Sequence, residues 1–296
     1  MSFKRKSSKK LLIAVLTAVL CIAVFVTCLY FTTDNPLNSD GESGEDYVKV
    51  LDVGQGDSIL IRSNNMSALI DTGPSDNATD MVNALEASSV EKVDMLILTH
   101  LHLDHTGGVP LLLEEYDIEN LILPSMDSSS ESYDHAKLAI NEISADEGGV
   151  YSAEQGMNFE FGDFEITILA SFSEMRDQND RSLIIMAELD GIKFLFMGDA
   201  ETTAEKALLK ENLDLDCDVL KVGHHGSSSS TSKEFLNAAA PDYAAISVGY
   251  ANEYYHPHKK VVNRLEAADI EIYRTDKNGD IKFTVENRKI KVGCEK

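Results

Sequence analysis

The run His100-Leu101-His102-Leu103-Asp104-His105, followed at once by Gly107-Gly108, draws on only eight histidines in the whole chain. Imidazoles and a carboxylate at that density are the donor set of a divalent metal centre. In an extended segment His100 and His102 project to the same side and can reach one cation. Asp104 and His105, beyond the turn, can then face a second. Two neighbouring divalent ions sharing a water would provide a nucleophile at neutral pH and clamp an oxyanion. The competing reading is a histidine-rich polar surface loop.

Later segments supply further donors. Lys193-Phe194-Leu195-Phe196-Met197-Gly198-Asp199 is an apolar run ending in Gly-Asp, and a carboxylate at a strand tip can bridge two cations. The alternative for Asp199 is a helix N-cap. Val219 to Val222 leads into Gly223-His224-His225-Gly226-Ser227, where flanking glycines permit positive φ and close backbone approach. Adjacent side chains diverge, so one of His224 and His225 is expected to bind metal while the other faces substrate. His256-Pro257-His258 follows a tyrosine-rich stretch and is expected to contribute at least one catalytic imidazole. Lys221, Lys259 and Lys260 beside these histidines form a small positive strip.

The elements that must position these groups follow from periodicity. Apolar and β-branched runs predict strands at 47–53, 57–63, 67–71, 93–99 and 118–123, then 157–161, 164–170, 182–189 and 192–197. Strands at 217–222, 243–248 and 271–274 and a hairpin over 281–293 follow. Helices are predicted near 79–88, 108–116, 133–146, 201–210, 232–239 and 259–268. Strand-rich sequence followed by alternating strand and helix, twice over, predicts two mixed sheets face to face with helices outside, an α+β/α/β arrangement.

Composition narrows the partners. The chain carries a net charge of −24, and Lys4, Arg5, Lys6, Lys9 and Lys10 lie in a segment without acids, so the remainder is more acidic still. Such a body is repelled by polyanions at long range, which disfavours a broad footprint on duplex DNA. Leu11 to Phe31 is uncharged and long enough to span a bilayer. The expected organisation is a cytoplasmic basic tail at 1–10, a single-pass transmembrane signal-anchor at 11–31, an acidic linker at 32–46 and a hydrolase domain at 47–293 outside the cell membrane. Secretion after signal cleavage is the alternative. Cys217 and Cys294 are too few for a disulfide framework.

The segments Leu51-Asp52-Val53-Gly54-Gln55-Gly56-Asp57-Ser58 and Leu69-Ile70-Asp71-Thr72-Gly73, with the histidine cluster, Gly198-Asp199 and Gly223 to Ser227, resemble the metallo-β-lactamase superfamily. With His256-Pro257-His258 and Tyr273-Arg274-Thr275-Asp276 in order, they are similar to the extracellular hydrolase domain of ComEC-type competence DNA-uptake proteins. The resemblance implies a four-layer αββα sandwich with two divalent ions, zinc or manganese, at the sheet edges. It places His100 and His102 at the first metal, Asp104 and His105 at the second, Asp199 between them, and His224 or His225, with His225 preferred, as the late second-metal ligand. The superfamily's third first-metal histidine is missing, since no histidine lies between His135 and His224. Asn179-Asp180-Arg181-Ser182 stands in its place, so either Asp180 substitutes as a ligand or the first site is weakly held.

The function expected is a membrane-anchored, extracytoplasmic, metal-dependent phosphodiesterase acting on DNA, as single strands or short oligonucleotides. Asp104, His224, His256 and His258 are the expected catalytic groups, and Lys221, Ser227 and Lys259 the expected substrate contacts. A cell-wall phosphodiester of the teichoic-acid choline-phosphate type is the alternative substrate. A non-catalytic metal-binding ectodomain is the alternative of another class.

Overall fold

In the computed structural model, residues 45–125, 133–145 and 148–296 are described. The expected tail, transmembrane segment and most of the linker lie outside them. No helix among the described residues is long and apolar enough to cross a membrane.

The first sheet has eight strands in the order β15-β14-β1-β2-β3-β4-β5-β6. Its members are β1 (Tyr47–Val50), β2 (Ile59–Ser63), β3 (Met66–Ile70), β4 (Met95–Ile97), β5 (Asn120–Leu123), β6 (Gly149–Ser152), β14 (Ile281–Glu286) and β15 (Lys289–Cys294). Strands β3 to β6 run parallel, and helices α1 (Ala78–Ala87), α2 (Leu103–Thr106), α3 (Val109–Glu115) and α4 (Tyr133–Ala145) make the crossovers. The second sheet has seven strands in the order β13-β12-β11-β10-β9-β8-β7. These are β7 (Asn158–Phe161), β8 (Phe164–Ala170), β9 (Ile184–Leu189), β10 (Ile192–Phe196), β11 (Val219–Lys221), β12 (Tyr243–Ile246) and β13 (Glu271–Arg274). Strands β10 to β13 are parallel, joined through α5 (Thr202–Leu208), α6 (Lys233–Ala239) and α7 (Lys259–Ala267), and α8 (Thr275–Asn278) follows β13.

Alternation explains the layering. One face of each sheet contributes Val48, Ile59, Ile61, Phe161, Phe164, Phe194 and Phe283 to a core between the sheets. The opposite faces bury Leu60, Leu69 and Leu96 against Met81, Leu85 and Leu112 on one side, and Leu195 and Leu220 against Leu208, Phe235 and Leu265 on the other. Strands apolar on both faces require cover on both, which gives the helix-sheet-sheet-helix sandwich.

Two predicted boundaries are corrected. The strand expected at 93–99 is regular only over Met95–Ile97, because the chain beyond it turns out of the ladder to deliver His100 and His102. The half-exposed strand β6 went unpredicted because it lacks a buried alternation. Cys217 and Cys294 are both free thiols.

Candidate metal centre

The parallel strands of the two sheets end at one edge, where β4, β10, β11 and β12 release the loops that carry the polar groups. Past β4 the chain stays extended through His102 (φ −69°, ψ 150°), which caps the short helix α2 bearing Asp104 and His105. Past β10, Gly198 adopts φ +50°, and a Cβ there would meet Ser182 and Thr99 at 2.9–3.1 Å, so only glycine lets Asp199 swing into the cleft. Past β11, the pair His224 (φ 48°) and His225 (φ 52°) is left-handed itself. Gly226 beside them is also left-handed, at φ +79°. Strain of about 1–3 kcal/mol per such residue is held by the surrounding structure: buried Glu205 accepts from the Thr231 and Ser232 amides, and the Ser230 hydroxyl donates to Gly223 O at 2.6 Å.

Two donor sets converge. Asp104, His105, Asp199 and His225 form one, His100, His102 and Asp199 the other, each with donor atoms within 4.8 Å of one another. Asp199 Oδ1 lies 3.3 Å from His105 Nε2 and 3.4 Å from His225 Nε2, and Asp104 Oδ2 lies 3.3 Å from His225 Nε2. All three of Asp199 Oδ1, His105 Nε2 and His225 Nε2 are buried without a hydrogen-bond partner. Native interiors rarely leave such atoms unsatisfied, and a site for a cation accounts for them.

The outer partners fix which imidazole nitrogen is free. His105 Nδ1 donates to Asp71 Oδ2 at 2.7 Å, and His225 Nδ1 donates to Ser247 O at 3.0 Å. The Thr99 hydroxyl donates to Asp71 Oδ2 at 2.6 Å, so it accepts from His100 Nδ1 at 3.3 Å. Each ring thereby turns Nε2 inward, the arrangement by which outer carboxylates and carbonyls orient metal-binding histidines. Asp71, itself left-handed at φ 58°, is the hub. Its segment was noted for the family resemblance, but Asp71 was given no role at the site, because nothing local to it shows that His105 and Thr99 converge on its carboxylate.

Electrostatics point the same way. Burial opposes the charged form of His225, but Asp199, Asp104 and Asp57 outweigh it and push its pKa up to about 10. Burial likewise opposes charge on His105, and Asp199, Asp71 and Asp104 hold its pKa well above the usual value. Burial would raise the Asp199 pKa, yet the facing histidines hold it well below the carboxylate range. Without a metal, protons on Nε2 thus stand where a cation would, and metal uptake must displace them. The sign for stability follows. His225 is raised from about 6.5, so its stabilisation is complete below that pH and is lost as pH rises through about 10. The metal-free domain should therefore melt at lower temperature at pH 10 than at pH 7, measured by differential scanning fluorimetry; a flat or rising melting temperature would contradict this charge arrangement.

The remaining expected residues divide. His224 Nδ1 donates to Glu201 Oε1 at 2.9 Å, which turns Nε2 toward Asp199 Oδ2 at 3.7 Å. His256 lines the same cleft, of about 660 Å³. Burial, then the charges of His225 and His224, lowers its pKa to about 4, so it is neutral at pH 7. Four expectations need correction. His258 accepts from Ser228 N at 2.8 Å and precedes α7 as its N-cap, so it braces the loop and does not line the cleft. Ser227 is buried with its hydroxyl against Ser229 at 2.8 Å, again inside the loop. Lys221 is buried and paired with Asp57 at 2.7 Å, because β11 points it between the sheets, away from substrate. Asp180 Oδ1 accepts from Glu201 N at 3.0 Å and Ala204 N at 3.1 Å, so it holds the start of α5. The capping alternative considered for Asp199 thus belongs to Asp180. Of the strip, Lys259 and Lys260 remain exposed at the first turn of α7.

A family model described as "Metallo-beta-lactamase superfamily" matches residues 51–250. The chain is similar to "ComE operon protein 3" of Bacillus subtilis, at 30% identity over 97% of this chain and 38% of that protein. It is similar also to "Competence protein ComA" of Neisseria gonorrhoeae, at 35% identity over 90% of this chain and 35% of that protein. The chain therefore spans under two fifths of the length of either relative. Among solved structures, the metallo-beta-lactamase fold protein YhfI of Bacillus subtilis aligns with a TM-score of 0.52 and 14% identity, over 84% of this chain and all of that one.

Proposed function

The chain belongs to the metallo-beta-lactamase superfamily, and from that premise we propose that it is a metal-dependent phosphodiesterase acting on single strands or short oligonucleotides of DNA. The observation that carries the reading is the set of buried, partnerless donor atoms on Asp199, His105 and His225. Asp104, His105, Asp199 and His225 would hold one ion, and His100, His102 and Asp199 a second, zinc or manganese in each case. Divalent ions there supply Lewis acidity to a phosphoryl oxygen and lower the pKa of water toward neutrality. The chain's own groups do the rest. Asp104, partly exposed beside His225, orients the attacking water. His224, its Nδ1 proton held by Glu201, leaves Nε2 free to take the proton of the attacking water and pass it to the leaving oxygen. Neutral His256 offers a ring hydrogen bond to a phosphate oxygen.

The substrate rests on the printed name of one relative, a competence protein, and on the tyrosine-bearing loop that brings Tyr254 to the cleft wall. Tyr250, Tyr254 and Tyr255 are 86%, 55% and 84% exposed. Their loop is pinned by Asn252, whose side chain donates to Gly249 O at 2.9 Å and His256 O at 2.7 Å and accepts from His256 N at 3.0 Å. Tyr254 also stacks on His256 at 5.7 Å between ring centroids. Rigidly displayed aromatic faces beside a phosphodiester site suit unstacked bases, and each such stack contributes about 1–3 kcal/mol. Only single strands offer free base faces, and the acidic body repels duplex. We further place the domain outside the cell membrane on the apolar segment at 11–31.

A second reading has one observation in its favour: Glu253 sits beside Tyr254 on the cleft wall, and a carboxylate next to an aromatic face is chemistry that binds a quaternary ammonium, as in a choline-phosphate ester of the cell wall. The test uses the manganese- or zinc-loaded domain on a single-stranded oligonucleotide, its duplex and a choline-phosphate ester. Faster cleavage of the single strand than of the duplex, slowed about tenfold or more by Tyr254→Ala with Tyr255→Ala, is expected. Turnover of the choline ester alone moves the assignment to the wall, and no turnover with metal bound leaves a binding ectodomain.

A further inference from the structure

We propose that the first-metal position, which lacks its third histidine, is completed by the side-chain oxygen of Asn179, and that this makes it a weaker site suited to hard divalent ions such as manganese. This rests on the metal-dependent reading above. The two donor sets are unequal: four residues converge around the Asp104 position, but only His100, His102 and Asp199 around the other. A cation held by three groups calls for a fourth donor from the same wall.

Asn179 lines the cleft together with His102, Asp199 and His224. It opens the 3-10 turn Asn179–Arg181 and is buried. Its Oδ1 has no hydrogen-bond partner. Its Nδ2 reaches only His224 Nδ1, at 3.5 Å, and that nitrogen already gives its proton to Glu201. The amide is therefore close to orphaned, a costly state for a buried polar group unless a ligand satisfies it.

The turn is held as if to present this one side chain. Asn179 N donates to Asp177 Oδ1 at 3.0 Å, and Ser182 N donates to Asn179 O at 3.0 Å. The Ser182 hydroxyl accepts from Asp199 N at 3.0 Å, so the turn is tied to the backbone of the residue whose carboxylate belongs to both donor sets. Asp180, the other candidate in this turn, has its Oδ1 occupied by two amides at the start of α5. Of Asn179-Asp180-Arg181-Ser182, it is Asn179 that lines the cleft and carries a buried side-chain oxygen without a partner.

The chemistry sets the consequence. An amide oxygen is neutral and hard, a common ligand for manganese and magnesium and a poor substitute for imidazole toward zinc. The site at Asp104, His105, Asp199 and His225 keeps two imidazoles and two carboxylates, so it should fill first.

Titration of the metal-free domain with manganese, followed by the electron paramagnetic resonance signal of the free ion, tests this. Two classes of sites are expected in the wild type, the second at least about tenfold weaker than the first. Asn179→Ala should lose the weaker equivalent and keep the tighter one, whose retention shows that the variant is folded. Asn179→His should tighten zinc binding at the weaker site by at least about tenfold, read by competition with a chromophoric chelator. If Asn179→Ala retains both equivalents with unchanged affinity, Asn179 is not a ligand and the proposal fails while the metal centre stands. If the wild type binds no manganese and no zinc, the metal-dependent reading fails with it.

Discussion

Asp199→Asn is expected to abolish hydrolysis and to weaken metal binding by more than about 100-fold, beyond the 10–100-fold that loss of an outer partner alone brings. Its carboxylate is the one group that belongs to both donor sets. Oδ1 faces His105 and His225, and Oδ2 faces His100 at 3.9 Å and His224 at 3.7 Å. An amide of the same shape keeps the packing but carries no charge to hold a cation among these imidazoles. The fold should survive, because the start of α5 is held by Asp180, not by Asp199. The paired control is Asp180→Ala, expected to cost about 0.5–2 kcal/mol of stability, as for a lost helix cap, with metal content unchanged. Elemental analysis, turnover and thermal melting of the two variants separate the roles, and an Asp199→Asn protein with wild-type metal content and turnover would remove this cleft as the active site.

Lys221→Ala is expected to destabilise the domain by about 3–5 kcal/mol, the cost of leaving a buried charge without its partner. Lys221 and Asp57 are both about 1% exposed and sit 2.7 Å apart. The ammonium also donates to Val222 O at 2.9 Å. Burial would raise the Asp57 pKa, but Lys221 and then His225 hold it at about 2, so Asp57 is ionised throughout the neutral range. Asp57 Oδ1 lies 3.3 Å from His225 Nδ1. Loss of the lysine should therefore also loosen the orientation of a candidate metal ligand. Lys259→Ala with Lys260→Ala should do the reverse, leaving stability within about 0.5 kcal/mol per site while flattening the salt dependence of oligonucleotide binding by up to about one log-log unit per lost phosphate contact. Urea denaturation and binding titrations across salt distinguish these outcomes. A stable Lys221→Ala protein with a flattened salt slope would restore the lysine to the substrate.

Much of this molecule was legible from local pattern. The alternation in β8 and the two-sided apolar runs of β9 and β10 announce strands, and their order with the helices announces two sheets covered on both sides. The densest cluster, His100 to His105, announced its chemistry because its donors are close in sequence and the extended backbone dictates where each points. His256 needed no long-range information to be suspected. Where the reading failed, side-chain direction depended on a partner remote in sequence. Lys221 resembles any exposed lysine until Asp57 meets it, and Asp180 resembles a ligand until the α5 amides claim it. His258 and Ser227 resemble site groups until the loop closes on them.

The sequence by itself therefore announced most of the strand and helix order and a set of candidate donor residues, because periodicity and residue chemistry are local properties. Only the tertiary structure decided which atoms of those donors are free. His225 was separated from His224 by the left-handed turn and by the carbonyl of Ser247, and Asp71 emerged as the hub orienting His105 and Thr99. Asn179, on the cleft wall, was left with a buried and unsatisfied oxygen. The physical reason is that hydrogen-bond capacity is limited. Whether a buried polar atom is available for a ligand depends on every other group that reaches it, and those groups come from across both sheets.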